Sequence, residues 1–196
     1  VEMVRRTVVE YERSGAAAMH IEDQVFPKRC GHLDGKTLIS TQDMAEKIRA
    51  AAEAKTEDFI LIARTDAKGI DGLDAAIDRG LAYRDAGADM IFPEGLGSED
   101  EFAEFAERCP GLLLANMTEF GKTPIIPLST FQTMGYDLVI YPVTMQRIAM
   151  QAVTKALDVL KREGEVSSLL DVMQTREELY DMLGYTPGVE WDPSAR

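Results

Sequence analysis

Phe59-Ile60-Leu61-Ile62-Ala63-Arg64-Thr65-Asp66 is the stretch on which the fold turns. Five apolar residues run without a break and then give way at once to Arg-Thr-Asp. A short continuous run of this kind reads as a strand covered on both faces, as in a parallel sheet. The pattern repeats on either side. A strand over 16–23 ends in Glu22-Asp23, one over 89–92 in Pro93-Glu94, and one over 112–115 in Asn116-Met117-Thr118. A fifth, over 138–142, ends at Tyr141-Pro142. Three of the five are entered through similar joints, Ser14-Gly15, Ala86-Gly87 and Met134-Gly135.

Helices are predicted between the strands. Residues 2–14 carry Met3, Val4, Val8, Val9 and Tyr11 on one face, and a helix to about residue 54 opens with capping character over 40–43. Further helices are predicted over 73–86, 99–108, 129–134, 144–163 and 167–183, with an extended tail over 186–196. Strand–helix alternation makes the sheet parallel. Polar clusters at the C-terminal strand ends are where (β/α)8 barrels build their sites. The competing doubly wound sheet is weakly supported, because no glycine-rich phosphate loop follows any strand. The expected fold class is therefore α/β, a TIM-type barrel of which about five parallel strands are present, followed by C-terminal helices. Residues 1–165 are expected to form the partial barrel and 166–196 a helical extension and tail. The chain opens at Val1, without Met and in what reads as mid-helix, so an N-terminally truncated piece is expected.

Composition narrows the function classes. With 196 residues, 45% of them hydrophobic, a real core is expected. No apolar run is long enough to span a bilayer, and no signal-peptide pattern opens the chain. A formal charge of −13 repels nucleic acid and anionic lipid. It leaves room for an anionic small molecule, since a few focused arginines outweigh a diffuse acidic surface. Two cysteines, Cys30 and Cys109, make no disulfide framework and suit a reducing cytoplasm.

The chemistry is concentrated in residues 20–32, His-Ile-Glu-Asp-Gln-Val-Phe-Pro-Lys-Arg-Cys-Gly-His. A thiol among Lys28, Arg29 and His32 sits in positive potential, which favours thiolate and readies it for proton transfer or nucleophilic attack. Gly31 allows a close turn and leaves room for a ligand beside the sulfur. Taken alone, the cysteine reads as a chance residue of a surface loop; the carboxylates Glu22 and Asp23 just before it favour a site. Arg64 ends a buried run, an expensive place for a cation unless a carboxylate meets it. It either binds a ligand or pairs with Asp66 or Glu94. Arg147 and Arg176, taken alone, read as solvated. Cys109, with only Arg108 as a cationic neighbour, reads as inert, and the ten methionines as core filler.

Lys28-Arg29-Cys30-Gly31-His32 after the His20-Ile21-Glu22-Asp23-Gln24 strand resembles the signature of the isocitrate lyase and phosphoenolpyruvate mutase superfamily, most closely its methylisocitrate lyase branch. The resemblance covers essentially the whole chain and implies that the first three strands of the barrel are absent. It implies cleavage of 2-methylisocitrate to pyruvate and succinate, with Cys30 as the general acid and His32, Lys28 and Arg29 tuning it. It places Arg147, in Tyr-Pro-x-x-x-x-Arg, and Arg176, in Met-Gln-Thr-Arg, on substrate carboxylates together with Arg64. Cys30, Gly31, Glu94, Asn116 and Thr118 match pocket positions. Glu22 matches an acid that holds Mg²⁺ (Mn²⁺ possible) through water, the direct aspartate ligands lying on strands absent here. Asp23 and His20 are expected to be structural. Asn116-Met117-Thr118-Glu119-Phe120-Gly121 is similar to methylisocitrate rather than isocitrate lyases. Gly121-Lys122-Thr123-Pro124 also occurs in dimethylmalate lyase and oxaloacetate hydrolase relatives, which remain alternatives, as does isocitrate lyase. The resemblance further implies a tricarboxylate partner, a cytoplasmic homotetramer, and no nucleic-acid or membrane partner; the initial base stays open. A reading of another class is a catalytically inactive half-barrel that binds a partner chain through its open strand edges.

Overall fold

The computed structural model describes residues 1–189; residues 190–196, including Trp191 and most of the tail expected to be extended, lie outside them. Five strands alternate with helices: α1 (Glu2–Arg13), β1 (Ala18–Glu22), α2 (Thr41–Ala54), β2 (Ile60–Thr65), α3 (Lys68–Asp71), α4 (Leu73–Asp85), β3 (Met90–Pro93), α5 (Glu99–Arg108), β4 (Leu112–Asn116), α6 (Leu128–Met134) and β5 (Leu138–Ile140). All four pairings are parallel, and the order across the sheet is β1-β2-β3-β4-β5. A doubly wound sheet reverses its strand order at a switch point. Here the order never reverses, so this is one arc of a barrel wall.

Side chains alternate across each strand, and the two faces have different fates. Odd-numbered residues, Leu61, Ala63, Ile91, Leu113 and Ala115, pack in the main core with Met44, Ile48, Ile77, Tyr83, Phe102, Phe105 and Phe131 from the helices. Even-numbered residues form the other face, where Ile62, Met90, Phe92 and Leu114 make a small apolar floor joined by Ile140. Burial on both faces is why β2 and β3 read as unbroken apolar runs. The joints at Gly15, Gly87 and Gly135 share φ values of 89°, 107° and 87°, the left-handed conformation that ends a helix cheaply only at glycine. Ser40 caps α2 by accepting from Asp43 N at 3.0 Å.

The chain divides into two compact units, Val1–Thr144 and Met145–Arg196. The second holds all but the first residue of α7 (Thr144–Glu163), then a 3-10 helix (Ser167–Val172) and α8 (Arg176–Leu183). The single helix expected over 167–183 is thus two. Thr175 breaks it with a capping box: its hydroxyl accepts from Glu178 N at 3.2 Å while Glu178 Oε2 accepts from Thr175 N at 2.7 Å. Two smaller differences concern β5, which stops at Ile140 rather than Pro142, and α3, which is absent from the sequence reading.

Candidate active site

Period-two alternation gathers the site. Glu22, Arg64 and Asn116 lie at even positions of β1, β2 and β4, in line with the apolar floor, and Glu94 and Thr118 continue the same count just past β3 and β4. Parallel register sets Glu22 opposite Arg64, and Arg64 opposite Phe92.

Arg64 is the hub. Its guanidinium forks onto Asp66, with Nε to Oδ2 at 2.9 Å and an NH2 contact to Oδ1 at 3.2 Å. It lies 3.1 Å from Glu94 and 3.3 Å from Glu22, with Phe92 beneath it at 4.9 Å. Burial disfavours its charge, but Asp66 and Glu94 outweigh this and raise its already high pKa. Glu94 is buried as well. Desolvation opposes its ionisation, yet the His32 imidazole against it and the charge of Arg64 hold its carboxyl below the usual range. His32 Nδ1 accepts from Lys122 N at 3.1 Å, which directs Nε2 at Glu94 Oε1, 3.0 Å away. Asn116 donates to Glu94 Oε2 at 3.2 Å, leaving its buried Oδ1 without a hydrogen-bond partner. That orphan acceptor suits a ligand hydroxyl.

The loop after β1 folds onto this cluster. An added Cβ at Gly31 would lie 2.2 Å from Glu94 Cγ and 2.7 Å from Arg64, so only glycine brings the backbone this close. The space at Gly31 that the sequence reading reserved for a ligand is filled by Glu94 and Arg64. Cys30 is exposed. The cations beside it in sequence turn to other oxygens. Lys28 meets Glu22 at 3.0 Å, His32 meets Glu94, and Arg29 reaches Asp34 O at 3.4 Å.

Asp23, fully buried on the odd-numbered face, accepts from Asp66 N at 2.9 Å and from Tyr83 Oη at 2.9 Å, and pairs with Arg79 at 3.2 Å. His20 stands edge-on to Phe92, its pKa lowered by burial and by Arg64. Cys109 is buried. Thr118 is buried just past β4, and Thr144 donates to Glu119 at 2.6 Å. Arg147 lies in the first turn of α7 and Arg176 opens α8, both in the second unit; the cluster described above belongs to the first. Two buried polar residues of the loop, Gln24 and Lys36, have no role assigned from the sequence. Both lie within six positions of Cys30, but polar loop residues carry no sequence signal of burial.

Among the described residues no three His, Cys, Asp or Glu side chains are grouped to hold a metal ion. Glu22, the expected contributor, has Lys28 and Arg64 against it, and Asp66 and Glu94 likewise face cations. This set alone does not fit a divalent ion. Nor is any described helix long and apolar enough to cross a membrane.

A single-wound parallel barrel wall, with a cysteine loop folded onto an arginine–carboxylate cluster at its C-terminal strand ends, defines a (β/α)-barrel enzyme class. Within it, residues 1–161 match the family described as phosphoenolpyruvate phosphomutase, and the chain belongs to that family. It is 52% identical over 182 residues to the 2-methylisocitrate lyase of Aeropyrum pernix, covering 93% of this chain and 59% of that protein. It is 51% identical over 180 residues to the 2-methylisocitrate lyase of Bacillus subtilis, covering 92% and 60%. The crystal structure of a 2,3-dimethylmalate lyase, trigonal form, superposes with a TM-score of 0.84 at 41% identity, covering 93% of this chain and 62% of that one. The chain thus spans about three fifths of the length of the relatives it matches.

Proposed function

We propose that this chain is part of a methylisocitrate lyase, which splits 2-methylisocitrate into pyruvate and succinate in propionate catabolism. The observation that carries the reading is the Lys28–His32 loop, with Cys30 exposed and Gly31 pressed against the Arg64–Glu94 pair. In the proposed reaction the substrate hydroxyl loses its proton and its oxygen becomes the ketone of pyruvate as the carbon–carbon bond breaks. The electrons of that bond pass to the carbon that becomes part of succinate, and Cys30 gives it a proton. Its thiolate then recovers a proton to close the cycle.

Charge decides how the substrate is held. Glu22, Asp66 and Glu94 already face Lys28, Lys36, Arg64 and His32, so this cluster has little positive charge to spare for three carboxylates. Arg64 binds a substrate carboxylate by exchange with Glu22, its longest ionic contact at 3.3 Å. Arg147 and Arg176 supply further bidentate donors, on the strength of their motifs. The orphan Oδ1 of Asn116 accepts from the substrate hydroxyl, with Thr118 two positions further along the chain. Mg²⁺ (or Mn²⁺) bound in the complete protein would supply Lewis-acid stabilisation of an oxyanion; of the described residues, Glu22 would contribute through water. A cytoplasmic homotetramer acting on a small tricarboxylate, without nucleic-acid or membrane partners, completes the proposal. Likeness to 2,3-dimethylmalate lyase makes dimethylmalate the second substrate to assay.

Cys30→Ser in the complete protein is the direct test. Pyruvate formation should fall about 10²–10⁴-fold, the worth of general acid–base catalysis, with substrate still bound. A serine variant retaining more than about a tenth of wild-type turnover contradicts the role given to the thiol.

A further inference from the structure

Cys30 is exposed, yet the backbone that carries it is fastened on both sides by side chains that the proposed chemistry leaves idle. Six residues before it, the buried Gln24 clasps the Arg29 peptide twice. Its Oε1 accepts from Arg29 N at 2.9 Å and its Nε2 donates to Arg29 O at 2.9 Å. Six residues after it, Lys36 donates to Gly31 O from a side chain only 3% exposed, with Asp66 Oδ1 3.7 Å from the ammonium. Cys30 O accepts from Leu33 N at 2.9 Å. Carbonyls 29, 30 and 31 are therefore all held, two of them by buried side chains.

Burial of an ammonium is costly, and packing alone does not call for one here. A methionine fills similar space, and Asp66 already has the Arg64 fork. What the lysine adds is a strong donor for one carbonyl, that of the residue after the thiol. The wall around it is cut to fit: an added Cβ at Gly69, on α3, would lie 3.1 Å from Lys36 Nζ. On the sheet side Gly31 has no slack, because Glu94 and Arg64 already touch it.

We propose that Gln24 and Lys36 are positioning residues, a pair of clamps that hold the Cys30–Gly31 peptide against the Arg64–Glu94 pair so that the thiol is presented at a fixed point. The inference rests on the reading of Cys30 as the general acid. A proton donor must stand within hydrogen-bond reach of the carbon it protonates, and displacement by about 1 Å costs about 10²-fold in rate.

Lys36→Met and Gln24→Leu in the complete protein test this with two readouts. In steady-state kinetics each is expected to lower kcat about 10–100-fold, the usual loss for a supporting partner, while KM stays within about threefold. In native-state trypsin digestion, cleavage after Lys28 and Arg29 is expected to speed up at least about tenfold, because a freed loop enters the protease site. A purely structural role lowers the melting temperature but leaves kcat per folded molecule and the two cleavage rates at wild-type values, which overturns the proposal. If one variant fails to fold, the other decides by the same pair of readouts. Cys30→Ser run in parallel separates the two claims. An active serine variant overturns the general-acid reading. An inactive one, beside clamp variants with wild-type kcat, overturns only the clamps.

Discussion

Replacing Gly31 by alanine tests how the loop and the cluster are joined. The new Cβ would stand 2.2 Å from Glu94 Cγ, 2.6 Å from Glu94 Cδ and 2.7 Å from Arg64. Ordinary contact begins at 3.4 Å, so one side must retreat by 1.2 Å. If Glu94 moves, a buried carboxylate 3.1 Å from Arg64 and 3.0 Å from His32 loses its partners. Breaking a buried pair costs about 3–5 kcal/mol. If the loop lifts, it gives up the Lys36 bond to Gly31 O, a charged hydrogen bond worth about 1.5–3 kcal/mol. The loop is the cheaper side to move, and it takes the thiol with it. Gly31→Ala in the complete protein should therefore lower kcat about 10²-fold and destabilise the fold by about 1.5–3 kcal/mol. Pyruvate release under saturating substrate and urea unfolding measure the two. Because Lys36→Met releases the same loop, the double variant should fall well short of the sum of the single effects, as expected for coupled sites. An alanine variant with turnover within about threefold of wild type, or additive effects in the double variant, would refute the reasoning.

Glu94→Gln should lower stability by about 3–5 kcal/mol near neutral pH. Because the folded carboxyl is held below its ordinary value of 4.5, this contribution is present above that pH and is lost as the pH falls through the folded value. Thermal unfolding of the two proteins should thus converge below pH 4.5; a constant gap down to about pH 3 contradicts the pairing. Isocitrate should be the poorer substrate by about 10–200-fold in kcat/KM, the discrimination one methyl group gives, and equal values would reject the assignment to methylisocitrate. Residues 1–196 expressed alone should release no pyruvate with saturating Mg²⁺, since the described residues group no three metal ligands. Magnesium-dependent pyruvate that disappears with Cys30→Ser would show that reasoning to be wrong.

The parallel sheet was legible because burial on both faces leaves an unbroken apolar run, and the helix stops because only glycine takes the φ of Gly15, Gly87 and Gly135 cheaply. The column of site residues was legible in part. Strand ends marked Glu22, Arg64, Glu94 and Asn116, and alternation puts them on one face, but composition does not say which oxygen meets which cation. Arg64 illustrates the limit. Pairing with Asp66 and pairing with Glu94 look like rival fates in the sequence, whereas one guanidinium has enough N–H groups to meet both carboxylates at once. The helix break at Thr175 carried a readable signal, Thr-x-x-Glu, overridden by the apolar spacing around it. Gln24 and Lys36 carried none, because a polar residue in a loop is normally solvated. Their burial arises only when Gly31 settles against a glutamate that ends another strand, drawing the loop and its clamps inward with it. Residues that support a site in this way are fixed by contacts far apart in the chain, and so they come to light only with the fold.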